Sequence, residues 1–208
     1  MRQAFPKTFS EKVNPASTAL LVIDVQNDFC APDGVFGSAG NDLSMVQVIM
    51  PGLHALVDGA RNAGVTVIFV QAIYDAVYLP PAWHERNARI GFETPRCLRG
   101  TWGADFYQLK PQPSELVIQK HRYSAFVDTE LDAILRGLGI RTLVTTGVAT
   151  NLCVESTSRD AFMKGYYVAM VDDACATYRK EQHDAALANI ALGFGVVTTV
   201  KELLTTWA

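Results

Sequence analysis

Three positions in this 208-residue chain could supply a nucleophile, an acid and a cation to one reaction. Cys153 lies in GVATNLCVESTSRDAF, where a β-branched run gives way to a helical pattern. In the first turn of a helix, unpaired backbone N–H groups and the positive end of the helix dipole favour a thiolate. Asp24 closes the apolar run LLVID and Lys120 closes ELVIQK. Brought together, Asp24 would orient the thiol and take its proton, while Lys120 would favour the thiolate and the nearby carboxylate charge.

Each of the three also has a plainer reading. Free cysteines are often buried core residues, strand-end aspartates often cap loops, and lysines are mostly solvated surface charges. Thr150 or Asn151 reads as a helix N-cap, and Asp28 as an acid bonding the backbone of its own turn. What favours chemistry is that all three residues end strands on one rim of a sheet.

That rim follows from the pattern of elements. Apolar or β-branched runs occupy 18–25, 65–72, 115–120, 141–148 and 166–173, with a weaker sixth run at 196–200. Nearly continuous apolar strands imply burial on both faces. Helical patterns lie between them at 43–62, 129–138, 151–164 and 180–192, and Gly64, Gly139 and Gly165 fall where helix C-caps belong. The alternation predicts an α/β fold: a three-layer α/β/α sandwich with a six-stranded, mainly parallel, Rossmann-like sheet, in a single domain over 1–208. The segment from Ile73 to Pro113 breaks the rhythm with five prolines and two tryptophans. It reads as an ordered excursion over the C-terminal edge of the sheet, where open α/β folds bind ligands.

Composition narrows the partners. The net charge is −3 with both signs interspersed, so no polyanion-binding face is advertised and nucleic acid is not expected. No apolar run approaches the roughly 18 residues of a membrane span, and the N-terminal residues lack an apolar signal core, so the expected location is cytoplasmic. Cys30, Cys97, Cys153 and Cys175 form no C-x-x-C pair and are expected to be reduced thiols. No G-x-G-x-x-G or Walker loop follows the first strand, which weighs against a nucleotide site. A thiol redox or sensing protein is the rival from another class; it would need a resolving cysteine such as Cys30 or Cys175 near Cys153.

From about Ala19 to Thr199 the chain resembles the isochorismatase-like cysteine hydrolases. The likeness rests on D-x-Q-x-D-F at Asp24 to Phe29, K-x-R-Y-S-A-F at Lys120 to Phe126 and G-V-A-T-N-x-C-V-E-S-T at Gly147 to Thr157. It implies a catalytic triad of Asp24, Lys120 and Cys153, a cis peptide between Val148 and Ala149, and an oxyanion hole from the backbone N–H groups of Ala149 and Cys153. The implied reaction is hydrolysis of a carbon–nitrogen bond through a thioester-like intermediate, with ammonia or an amine released.

Departures within that family sharpen the expectation. Members that cleave the vinyl ether of isochorismate differ at the cysteine, so Cys153 favours amide or ureide hydrolysis. Nicotinamidase-like members carry an aspartate and histidine metal cluster, whereas His54, His84, His121 and His183 show no ligand spacing, so no metal or other cofactor is expected. The flanking sequence is closest to the ureide branch, the ureidoacrylate, biuret and triuret amidohydrolases; nicotinamidase and N-carbamoyl amino acid amidohydrolase are the alternatives. Gln26, Phe29, Tyr74, Trp102, Tyr123 and Asn151 are the candidate substrate contacts, and Arg89, Arg96, Arg99 or Arg122 would meet a substrate carboxylate. Members of the family are commonly homo-oligomers, so a dimer or tetramer is expected.

Overall fold

In the computed structural model, which describes residues 5–208, six parallel strands form one sheet in the order β3-β2-β1-β4-β5-β6. The strands are β1 Thr18–Ile23, β2 Thr66–Ala72, β3 Leu116–Lys120, β4 Thr142–Val148, β5 Tyr167–Ala176 and β6 Val196–Thr198. The principal helices are α1 Ser44–Asn62, α2 Pro81–Arg89, α3 Leu131–Gly137, α4 Glu155–Met163, α5 Lys180–Gly193 and α6 Val200–Trp207. The expected alternation is therefore present, and the sheet is wholly rather than mainly parallel.

Side chains alternate across the pleat into two cores. Leu20, Val22, Val67 and Phe69 enter one, where the α1 stripe of Val46, Ile49, Met50, Leu53, Leu56, Val57 and Ala60 covers them together with Leu203 of α6. Ala19, Leu21, Ile23, Ile68 and Val70 enter the other, under Leu131 and Leu135 of α3, Ala161 of α4 and Ile190 of α5. The i, i+3, i+4 spacing of the α1 stripe is the helical period that places one face on the sheet. Gly64, Gly139 and Gly165 sit just past α1, α3 and α4 with left-handed backbone, the position at which helices end.

Two expectations change. β3 is not buried on both faces: Leu116 and Val117 are part exposed, and Ile118 and Lys120 alone turn fully inward, because β3 is the sheet's edge. β5 runs on past Asp173 to Ala176; Asp172 and Asp173 face solvent near a register shift between Thr145 and Gly147, and the strand then re-enters the core. The 73–113 excursion holds α2 and two short 3-10 turns, Ala76–Tyr78 and Trp102–Ala104. No helix among the described residues is long and apolar enough to cross a membrane.

Candidate active site

The strand order reverses between β1 and β4, and ligands of open α/β sheets bind outside the carboxyl ends of the strands at that switch point. Asp24 follows β1 there with φ 53, and Cys153 lies on the first turn after β4. That turn, Thr150–Val154, is a π turn that continues directly into α4. The two strands are pinched together at Gly147, paired with Ile23: φ is 111, and a Cβ there would lie 2.0 Å from the Ile23 carbonyl oxygen. Only glycine allows that approach. The Val148–Ala149 peptide is cis, and the Ala149 N–H has no acceptor among the described residues.

Lys120 comes from β3, two strands away from β1, and its side chain is entirely buried. Its Nζ lies 2.7 Å from Asp24 Oδ2, donates to Cys153 Sγ at 3.4 Å and donates to the Arg122 carbonyl at 2.9 Å. The Asp24 carboxylate is held by the Lys120 ammonium beside it and lies where it can take a proton from the Cys153 thiol. The three residues singled out by sequence thus meet in one buried cluster.

The electrostatics follow from burial. Burial, reinforced by the Asp24 charge, pushes the Cys153 thiol up to about 12 against the pull of Lys120. This reverses the expectation from helix position, since desolvation of a wholly buried thiolate outweighs the partial charge of one helix terminus. Burial also opposes the Lys120 ammonium, but Asp24 and Cys153 outweigh it and hold the group above its ordinary value. Burial raises Asp24 despite Lys120 and the thiol, so the acid has more proton affinity than a free carboxylate.

Cys153 opens onto a cavity of about 550 Å³. Of the expected substrate contacts, Phe29, Tyr74, Tyr123 and Asn151 line it, together with Ala149, the expected oxyanion-hole residue. Tyr74 OH stands 3.9 Å from Cys153 Sγ, and Asn151 Oδ1 accepts a hydrogen bond from Thr177 Oγ1 at 2.7 Å. Gln26 and Trp102 do not line it. Gln26 is fully buried, its Nε2 donates to the Ala72 and Ala104 carbonyls, and its Oε1 accepts the Ala72 N–H. With both amide protons engaged and the side chain outside the cavity lining, its place is corrected from substrate contact to clamp between β1, β2 and the excursion. Trp102 is 53% exposed, and its carbonyl accepts from Asn27 Nδ2 at 2.7 Å. Asp28 also reaches beyond its own turn, accepting from Cys97 N at 2.6 Å and Val35 N at 3.3 Å. The D-x-Q-x-D-F segment therefore divides its labour: Asp24 faces the thiol, while Gln26, Asn27 and Asp28 tie down the loop that roofs the cavity.

Of the four arginines considered, Arg96 lines the cavity; Arg99 pairs with Asp75, Arg89 with Glu85, and Arg122 donates to the Tyr78 and His121 carbonyls. Sequence reading missed Arg86, Phe36, Thr177 and Tyr178 in the lining. Thr177 and Tyr178 follow β5 beside the switch point, and the strand's apparent end at the Asp172–Asp173 pair hid them. His183 links Thr150 to Asp172 at 2.9 Å on either side, and His121 Nδ1 lies 2.7 Å from the Ile73 carbonyl. Among the described residues, no three His, Cys, Asp or Glu side chains gather where they could share a metal ion. All four cysteines are free and buried; Cys153 is the one that lines this cavity.

Comparison with known proteins places the chain in a family and matches its fold. The family model described as Isochorismatase domain matches residues 18–202. A protein named ureidoacrylate amidohydrolase RutB from Pseudomonas savastanoi pv. phaseolicola is 36% identical over 211 residues, covering 95% of this chain and 86% of that one. Its namesake from Caulobacter vibrioides is 38% identical over 204 residues, 91% of each chain. The crystal structure of a cysteine hydrolase from Pseudomonas syringae pv. phaseolicola superposes with a TM-score of 0.83 at 26% identity, covering 100% of this chain and 98% of that one.

Proposed function

This chain belongs to the isochorismatase domain family, and from that premise we propose that it is a cysteine-dependent amidohydrolase of a small linear ureide, of which ureidoacrylate is the best-supported example. The observation that carries the reading is the contact of Lys120 with both Asp24 and Cys153 at the floor of a cavity large enough for such a molecule.

The chemistry proceeds in two stages. Cys153 Sγ attacks the ureide carbonyl while its proton passes to Asp24, so that the high proton affinity of the thiol is met by a carboxylate raised by burial. The carbonyl oxygen becomes an oxyanion, which the N–H groups of Ala149 and Cys153 receive. Asp24 returns the proton to the departing nitrogen as the carbon–nitrogen bond breaks, and an S-acyl or S-carbamoyl enzyme remains. Water then adds to that carbonyl, gives its proton to Asp24, and releases the thiol. Lys120 stays cationic throughout and balances whichever of its two neighbours bears the negative charge.

The test is an ammonia-release screen over ureidoacrylate, biuret, triuret, N-carbamoyl amino acids and nicotinamide. Turnover of a ureide is expected, with a loss of several powers of ten in Cys153→Ala. A Cys153→Ala enzyme that kept the wild-type rate would end the reading.

A further inference from the structure

Two arginines that are not exposed, Arg86 and Arg96, line the cavity without a carboxylate to pair with; the exposed Arg179 lines it too and is likewise unpaired among the described residues. Arg96 is 6% exposed and lies over the rings of Phe92 and Tyr74, its guanidinium carbon 5.0 and 5.9 Å from their centroids. Its hydrogen bonds go to neutral oxygens, the Thr94 carbonyl at 3.3 Å and Asn87 Oδ1 at 3.4 Å. Arg86 Nη1 donates to the same Asn87 oxygen at 3.0 Å. Both arginines line the cavity that Cys153 opens onto, and neither is paired with an acidic side chain among the described residues.

A buried guanidinium cannot shed its proton, and a second cation sharing its amide acceptor makes the position costlier still. Burial first, and Arg86 in part, press against the Arg96 charge. By contrast Arg61, Arg89, Arg99, Arg136 and Arg159 each have an acidic partner. Two unneutralised cations facing a cavity suit an anionic guest, and a guanidinium fork matches a carboxylate in two parallel hydrogen bonds.

The distance to the nucleophile is set by one tyrosine. The ring of Tyr74 lies under Arg96, and its hydroxyl stands 3.9 Å from Cys153 Sγ. A guest with its carboxylate on the arginines and its carbonyl on the sulfur is therefore a short extended molecule with a few bonds between the two groups.

Resting on the hydrolase reading above, we propose that Arg86 and Arg96 form a carboxylate-binding subsite that selects ureides bearing a terminal carboxylate over neutral ureides. Asn87 positions the pair by accepting from both.

The experiment compares substrates that differ in the carboxylate alone. For 3-ureidoacrylate and its primary amide, wild-type kcat/KM is expected to favour the acid by about 100-fold or more, the scale of a lost charge-assisted hydrogen-bond pair. In Arg96→Met and in the less buried Arg86→Met that ratio falls by at least about tenfold, with most of the loss in KM for the acid. A wild-type enzyme indifferent to the carboxylate, or variants that slow acid and amide equally, overturns the subsite. If neither compound turns over, the hydrolase reading is at fault, and calorimetry on Cys153→Ala with 3-ureidopropionate and 3-ureidopropionamide still decides: tighter binding of the acid, lost in Arg86→Met, upholds the subsite, and equal or absent binding of the acid refutes it.

Discussion

Lys120 Nζ meets Asp24 Oδ2 at 2.7 Å with both side chains wholly buried, although β2 lies between the strands that carry them. The pair is a structural commitment as well as a chemical one, because removing one partner leaves the other as an uncompensated buried charge. Lys120→Met is expected to cost about 3–5 kcal/mol in urea unfolding. Adding Asp24→Asn to it should recover a large part of that loss, since both charges are then gone, while ammonia release stays abolished. A Lys120→Met enzyme of wild-type stability would show that the pair contributes nothing to the fold.

The second prediction concerns the thiol. With Cys153 pushed up to about 12, the free enzyme holds a thiol at neutral pH, and alkylation by iodoacetamide should accelerate about tenfold per pH unit from pH 6 to 10 without levelling. A plateau near pH 7 would mean a thiolate already formed in the resting site. The same displacement has a stability consequence. Relative to an unfolded thiol at 9.0, the folded state favours the protonated form, so this contribution is complete below pH 9 and is lost as pH rises from there towards 12.

How far the site was legible in the sequence depended on what each residue answers to. Asp24, Lys120 and Cys153 end or follow apolar runs whose lengths and glycine punctuation fix the sheet, so their shared rim follows from local pattern. Gln26 and Trp102 sit in chemically suggestive motifs, yet what decides their place is the path of the 73–113 excursion, which has no period to read. Gln26 bonds across 46 and 78 positions of the chain, and nothing near it in sequence signals those partners. Arg86 was hidden in the same way: α2 carries a mostly polar sequence, and it is the packing of its Trp83 on Tyr74 and Tyr123, distant in sequence, that seats it against the cavity.

Gln26 gives a prediction that separates clamp from contact. Gln26→Ala leaves the buried N–H and carbonyl of Ala72 without this partner, while the Ala104 carbonyl keeps Gln71 Nε2, and should cost about 2–6 kcal/mol, roughly 1–3 for each of the two groups left unsatisfied. Urea unfolding measures the loss, and 3-ureidoacrylate kinetics on the folded fraction should show a smaller proportional change. Unaltered stability with a raised KM would instead return Gln26 to the role of substrate contact.

The last prediction concerns Gly147, where the chemistry depends on two strands lying closer than side chains allow. In Gly147→Ala the new Cβ meets the Ile23 carbonyl oxygen, so β1 and β4 must part at the position immediately before Asp24 and just ahead of the Cys153 turn. Gly40→Ala is the control: φ there is 78 with nothing within 4 Å, so it carries the cost of left-handed backbone alone, about 1–2 kcal/mol, and leaves the site undisturbed. Gly147→Ala should lose clearly more stability than the control. Its folded fraction should also lose about 100-fold in kcat, the scale expected when reacting groups are displaced by roughly 1 Å. Equal stability losses in the two variants, with full activity in both, would mean that the pinch between β1 and β4 does not set the distance between Asp24 and Cys153.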